Sequence, residues 1–414
     1  MRVVKMTLPL CPMIFLAFLL VGCATNTVDE GLITSQPVVT LTSTPLEENS
    51  VDDAEKVQSE QEQTRPVQSS WPMFRLNLAH TAVVGDQSLR DEPQLLWKYD
   101  TGGVVESSPA IAGTVLFEGT FNKALLALDA ATGKEIWRFP VGGLLRASPA
   151  VVDGLVYFGA DDNRFYAVSA ATGEQVWAFD LGPGGEQSSP AIAGNKVYFG
   201  AFDRNVYAID AINGQEIWRF PTGAGILSSP AVTGNQLYIG SIDGTIYALN
   251  IDTGSLIWKF ETGAPIFSSP AVANDTVFIG SDDGFIYALS TTDGEQLWRY
   301  RVGREVFSSP SVYQGSLYVG AHTGSVYALD AASGDLLWET PLSGPVFSSP
   351  AVTNEMVYIG SSDGKILALG RDSGKVRWTF QAGDRVWTSP SIVDGVVYFG
   401  SHDGHIYALT AKPD

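Results

Sequence analysis

Between Ser229 and Phe260 the sequence runs Ser-Pro-Ala-Val-Thr-Gly-Asn-Gln-Leu-Tyr-Ile-Gly-Ser-Ile-Asp-Gly-Thr-Ile-Tyr-Ala-Leu-Asn-Ile-Asp-Thr-Gly-Ser-Leu-Ile-Trp-Lys-Phe. Four short apolar runs are separated by turn signals that include Asp243-Gly244 and Thr253-Gly254, where Gly supplies the positive φ of a tight hairpin. The runs mix β-branched and aromatic residues with small ones, which suits strands, and no amphipathic helical period is sustained anywhere after Ser70. This unit reads as four antiparallel strands.

The unit recurs along the chain. Trp97, Trp137, Trp177, Trp218, Trp258, Trp298, Trp338 and Trp378 mark it, and so do Pro109, Pro149, Pro190, Pro230, Pro270, Pro310, Pro350 and Pro390 of a repeated Ser-Pro pair. Turns such as Asp153-Gly154 and Asp283-Gly284 separate the runs in the other units. A four-stranded sheet repeated eight times at a period near forty predicts an all-β, eight-bladed propeller. Proline has no N–H, so the Ser-Pro strand fits the innermost position, where one edge faces the channel. Each Trp wedges between neighbouring sheets and keeps its indole N–H free to donate. The strand around Trp97 has no preceding partner strand, and the last unit ends at Ile406-Tyr407-Ala408-Leu409 without a Trp strand. The two gaps predict that the Trp97 strand completes the blade begun at Ser389-Pro390. A linear solenoid, the alternative, leaves those sheet edges bare.

The segment Ala127-Leu128-Asp129-Ala130-Ala131-Thr132-Gly133-Lys134-Glu135-Ile136-Trp137 resembles the Trp-docking motif of pyrroloquinoline quinone (PQQ) repeats, and versions recur six more times. Trp71-Pro72-Met73-Phe74-Arg75 resembles the lead-in before the first blade of such proteins. The resemblance covers essentially all of the folded part and implies the propeller fold. For function it implies two classes. One is the quinoprotein alcohol dehydrogenases, with PQQ held against Ca²⁺, a vicinal disulfide and an Asp base. The other is the non-enzymatic BamB-type lipoproteins of outer-membrane β-barrel assembly.

Ahead of the repeats, Arg2 and Lys5 precede an apolar run from Leu8 to Val21 that ends in Leu20-Val21-Gly22-Cys23. This reads as a signal peptide over residues 1–22. The ending resembles a bacterial lipobox, which makes Cys23 the lipidated residue and the membrane a partner through that anchor. An uncleaved transmembrane anchor is the alternative, but the run falls short of the ~20 residues a spanning helix needs. Residues 23–70 are rich in Thr, Ser, Gln, Glu and Pro and read as a disordered acidic tether. Residues 71–95 form the lead-in, and residues 96–414 the propeller.

The chain has 414 residues and a formal charge of -20, which disfavours nucleic acid as a partner. Its two cysteines, Cys11 and Cys23, leave the repeats without a thiol for a disulfide, a thiolate metal site or a nucleophile. The repeats are also nearly uniform, whereas an active site must place unlike groups at one point. No catalytic residue, metal site or cofactor is therefore expected. The Asp-Gly turns read as hairpin chemistry in preference to Ca²⁺ ligands, and His402 and His405 as an exposed turn in preference to a transition-metal pair.

One position breaks the symmetry. Three residues before each repeat Pro stand Glu106, Arg146, Gln187, Leu227, Phe267, Phe307, Phe347 and Trp387. Packing between blades, as ordinary filler, is the preferred placement. If they instead face the channel mouth, a polar arc and an aromatic shelf would suit a peptide or another amphipathic ligand. The expected activity is recognition of an envelope protein or peptide by a monomer within a complex, outside the cytoplasm. The dehydrogenase and a glycan or cell-wall sensor are the alternatives.

Overall fold

The structure, a computed structural model, describes residues 70–412 apart from 86 and 186. The signal peptide, the acidic tether and Cys23 lie outside the described residues. Every element of the described part is a strand, and the strands form eight four-stranded antiparallel sheets. Blade 1 comprises Ala110–Ala112, Val115–Thr120, Ala124–Asp129 and Glu135–Pro140. Blades 2 to 7 repeat that order through Gln381. Blade 8 joins Ser391–Val393, Val396–Gly400 and His405–Thr410 to the chain's first strand, Gln94–Asp100, which pairs antiparallel with His405–Thr410. The predicted propeller and its clasp are both present.

The repeated residues explain how the blades hold together. Seven of the eight Trp indole N–H groups donate to a carbonyl on the next blade, as Trp97 does to Ala130 at 2.9 Å and Trp258 to Thr291 at 2.9 Å. The indole lies against the Gly of that blade's third turn, as Trp218 does against Gly254 of Thr253-Gly254. A Cβ at Gly254, where φ is +69, would meet the Trp218 ring at 2.6 Å. In Ser-Ser-Pro, the first hydroxyl accepts the N–H of the Gly that ends its own blade's second strand, as Ser228 does from Gly240 at 3.0 Å. The second serine works between blades. The N–H of Ser108 donates to the Ser148 hydroxyl, Ser148 to Ser189, Ser189 to Ser229, Ser229 to Ser269, Ser269 to Ser309, Ser309 to Ser349 and Ser349 to Ser389. Ser389 donates to Ser108 at 2.9 Å, and the circle closes.

The lead-in is the unexpected element. Instead of leaving the inner strands' channel edges open, it follows the ring and pairs its backbone with them. Trp71 exchanges hydrogen bonds with Ile111, Pro72 accepts from Val151, Leu78 from Val232, Ala79 from Val272 and Ala82 from Val352. Left-handed φ angles at Arg75, Leu76, His80 and Ala82 give it the curl it needs. Leu89 then supplies the carbonyl that receives the Trp378 indole at 2.8 Å. It takes the place of the turn that blade 8 lacks because its two strands there come from opposite ends of the chain.

Candidate functional site at the channel mouth

At the end of the channel beside the serine ring is a cup of about 210 Å³. All eight of the symmetry-breaking residues line it, with the eight ring serines below them and Phe74 of the lead-in as floor. This corrects the between-blade placement preferred from sequence. The between-blade position belongs to the residue just before, such as Val105, Ile266, Val306 or Val386, each fully buried. Val306 illustrates the fit, its Cγ1 standing 2.3 Å from where a Cβ on Gly280 would be. Leu227, Phe267, Phe307, Phe347 and Trp387 are half-buried, as mouth-facing side chains should be. Gln187 is the exception. Blade 3 carries one extra residue in this loop, and Gln187 is buried against Gly159, where other blades seat the apolar wedge.

The apolar arc is a continuous wall. Ring centroids are 5.0 Å apart for Phe267 and Phe307, 5.3 Å for Phe307 and Phe347, and 4.4 Å for Phe347 and Trp387. A second ring, missed from sequence, supports it from the turns between the second and third strands. His322 sits edge-on to Phe307 and Phe347, His402 packs on Trp387 at 4.4 Å, and Ser362 accepts the Trp387 indole N–H at 2.9 Å. The signal was available two residues after each strand-ending Gly, where the repeats carry Phe121, Asp161, Asp282, His322, Ser362 and His402 in place of a consensus.

Opposite the wall, Arg146 bridges Glu106 at 3.0 Å and Asp161 at 3.3 Å and lies over the Phe121 ring. Burial pushes the Glu106 and Asp161 carboxyls up, against the pull of Arg146. On the rim, burial raises Asp282 to about 7, with Glu305 and Asp283 adding repulsion. His402 is held below the usual histidine range by burial, and its Nε2 lies 3.5 Å from Glu106. It is therefore a half-buried part of the mouth, not an exposed turn. His405 lies beside Tyr407, with ring centroids 6.0 Å apart.

Beneath the floor lies Arg75, fully buried. Its guanidinium donates to the carbonyls of Pro310 and Pro350 and to the Ser311 hydroxyl, and burial lowers its pKa to about 9, so it remains charged at neutral pH. His80 beside it contacts the Pro270 carbonyl at 2.9 Å, and burial together with the Arg75 charge drops it to about 3.

The mouth does not fit a calcium-bound quinone. Ca²⁺ takes six to eight oxygens, and the described residues contain no group of three or more His, Cys, Asp or Glu side chains placed to hold a metal. The turn carboxylates serve protein donors instead, as Asp243 does for Gly223, Thr245 and Tyr247. The cup is also smaller than the few hundred Å³ typical of cofactor sites, with aromatic rings in contact along half its wall.

The family profile described as outer membrane protein assembly factor BamB, built on PQQ-like repeats, matches residues 88–225 and 301–413, more than half of the chain. The chain belongs to this family. A second profile, the β-propeller of a β-alanine-activating enzyme, matches residues 186–354. Among solved structures, BamB from Moraxella catarrhalis superposes with a TM-score of 0.67 at 17% identity, over 77% of this chain and 99% of that one. The quinohemoprotein alcohol dehydrogenase of Comamonas testosteroni gives 0.73 at 16% identity, over 84% and 81%. The computationally designed Ika8 protein gives 0.70 at 19%, over 77% and 99%. At these identities the superpositions speak for the fold alone. Among curated proteins none matches.

Proposed function

We propose that this BamB-family propeller is a binding scaffold of the cell envelope, acting by recognition and not by turnover, with the channel mouth as its working face. The observation that carries the reading is the half-exposed wall from Leu227 to Trp387, an apolar surface that the fold does not need for its own core. The family description, outer membrane protein assembly, supports an envelope protein or peptide as the partner. The lipobox-like Cys23 supports attachment to a membrane outside the cytoplasm, with residues 24–70 as the spacer.

The test pairs function with stability. Phe307→Ala combined with Phe347→Ala removes the centre of the wall while leaving the inter-blade wedges in place. Photo-crosslinking from the mouth to envelope proteins should fall at least tenfold, and the melting temperature should move by no more than a few degrees. Unchanged crosslinking would sink the proposal, and a collapse in melting temperature would reassign the rings to the core. Dye-linked alcohol oxidation on adding PQQ and Ca²⁺ would replace it with the dehydrogenase reading.

A further inference from the structure

The ring serines carry an unused chemical capacity. A hydroxyl has one proton and two lone pairs. Each ring hydroxyl spends one lone pair on the N–H of its neighbour, and among the described residues no acceptor takes its proton. All eight are at least nine-tenths buried, and all eight line the cup. The lower wall of the cup is thus a circle of hydroxyls, each with a proton to donate. A buried polar group without a partner is costly, so this circle calls for an acceptor with several lone pairs.

A second observation sets the charge of that acceptor. The Arg75 guanidinium is held by carbonyls and a hydroxyl, with no carboxylate bound to it among the described residues. The carbonyls it holds, those of Pro310 and Pro350, belong to the residues directly after ring serines Ser309 and Ser349, and Phe74, its neighbour in the chain, is the cup floor. A buried cation without a counter-ion attracts negative charge to the nearest accessible space. Donors from the side and a cation from below repel a bound cation and favour an anion. Of the carboxylates at the mouth, Glu106 and Asp161 share Arg146 on the wall and Glu305 lies 3.5 Å from Arg304 on the rim, so their residual negative charge, with that of Asp282, stands above the serine ring, and the Arg75 charge stands below it.

The remaining constraint is shape. About 210 Å³ holds one ring or one residue, and the wall beside it is aromatic. We infer that the cup binds a carboxylate on the serine ring with its apolar or aromatic body laid against Phe267, Phe307, Phe347 and Trp387, as the carboxy-terminal residue of a peptide or a free aryl-alkanoic acid would. This rests on the reading of the mouth as the working face and goes further by naming the ligand chemistry.

Calorimetric titration of the full chain in detergent tests it with four probes: 3-phenylpropionate, a hexapeptide ending in Phe as free acid, the same peptide amidated, and the free acid with Gly in place of the terminal Phe. The free acid should bind at least tenfold tighter than both the amide and the Gly-terminated peptide, and Phe347→Ala should weaken it at least as much. The ratio of peptide to 3-phenylpropionate affinity tells the two sources apart. Equal binding of acid and amide overturns the carboxylate assignment yet leaves the mouth as a peptide-docking face. Absence of binding by every probe, with crosslinking still dependent on Phe307 and Phe347, likewise overturns it without touching the broader reading.

Discussion

Gly254 and Gly234 separate two reasons for glycine. Both have positive φ, but a Cβ on Gly234 meets nothing within 4 Å, whereas one on Gly254 would collide with the Trp218 ring. Gly234→Ala should therefore cost only the left-handed penalty, about 1–2 kcal/mol. Gly254→Ala should cost that plus the ~1–3 kcal/mol of overpacking, because the indole must leave the seat that gives it the Ile251 carbonyl at 3.0 Å. Urea midpoints of the two variants check the difference, and equal losses would show that Trp docking does not depend on this seat. The Thr-Gly of the repeat could be read as a turn from sequence, but its second duty could not, since the Trp that needs it lies on another blade. Glu118 is a harder case. It occupies the register filled by Phe158, Phe199 and Ile239 in other blades, it is fully buried, and burial raises its carboxyl well above the usual range. The Ser107 hydroxyl and the Gly119 N–H only partly oppose that rise.

The strands were legible because local chemistry alone dictates them, with period-two apolar runs bounded by Gly turns. The lead-in was not legible as a structural element. Residues 71–84 show neither alternation nor a helical period, and their order comes from inner strands that lie tens to hundreds of residues away. Its φ angles at Arg75, Leu76, His80 and Ala82 are left-handed without glycine, which no local preference foretells. The mouth was half legible for the same reason. The unlike residues could be found by aligning the repeats, but which of two adjacent positions faces the channel and which wedges between blades depends on the backbone path, and Gln187 shows that one inserted residue exchanges the roles. Removing residues 70–84 while keeping Leu89 and the Trp97 strand should lower the melting temperature by roughly 5–15 °C and leave the cup without a floor. Scanning calorimetry reads the first effect, and an unchanged melting temperature would mean that the inner strands hold without the plug.

For the whole molecule, stability depends on the ring being closed. The strand Gln94–Asp100 covers the outer edge of His405–Thr410, and Trp97 docks on blade 1. Truncating the chain through residue 100 exposes that edge and removes one of the eight wedges. The truncated protein should pair through the bare edge, giving dimers or larger species on size-exclusion chromatography with light scattering. A well-folded monomer of unchanged stability would show that the clasp is dispensable.

The clasp also imposes a timetable. As the chain is extruded, Ala82, Leu89 and Trp97 appear well before their partners Val352, Tyr358, Trp378 and Ala408. Blades 1 to 7 can assemble as they appear, each from neighbours close in sequence, while the amino-terminal segment waits unpaired. Contacts of such high order form slowly, so the last step of folding belongs to the segment that leads into blade 1, and a chaperone that shields it during that interval would speed maturation more than one acting on any single blade.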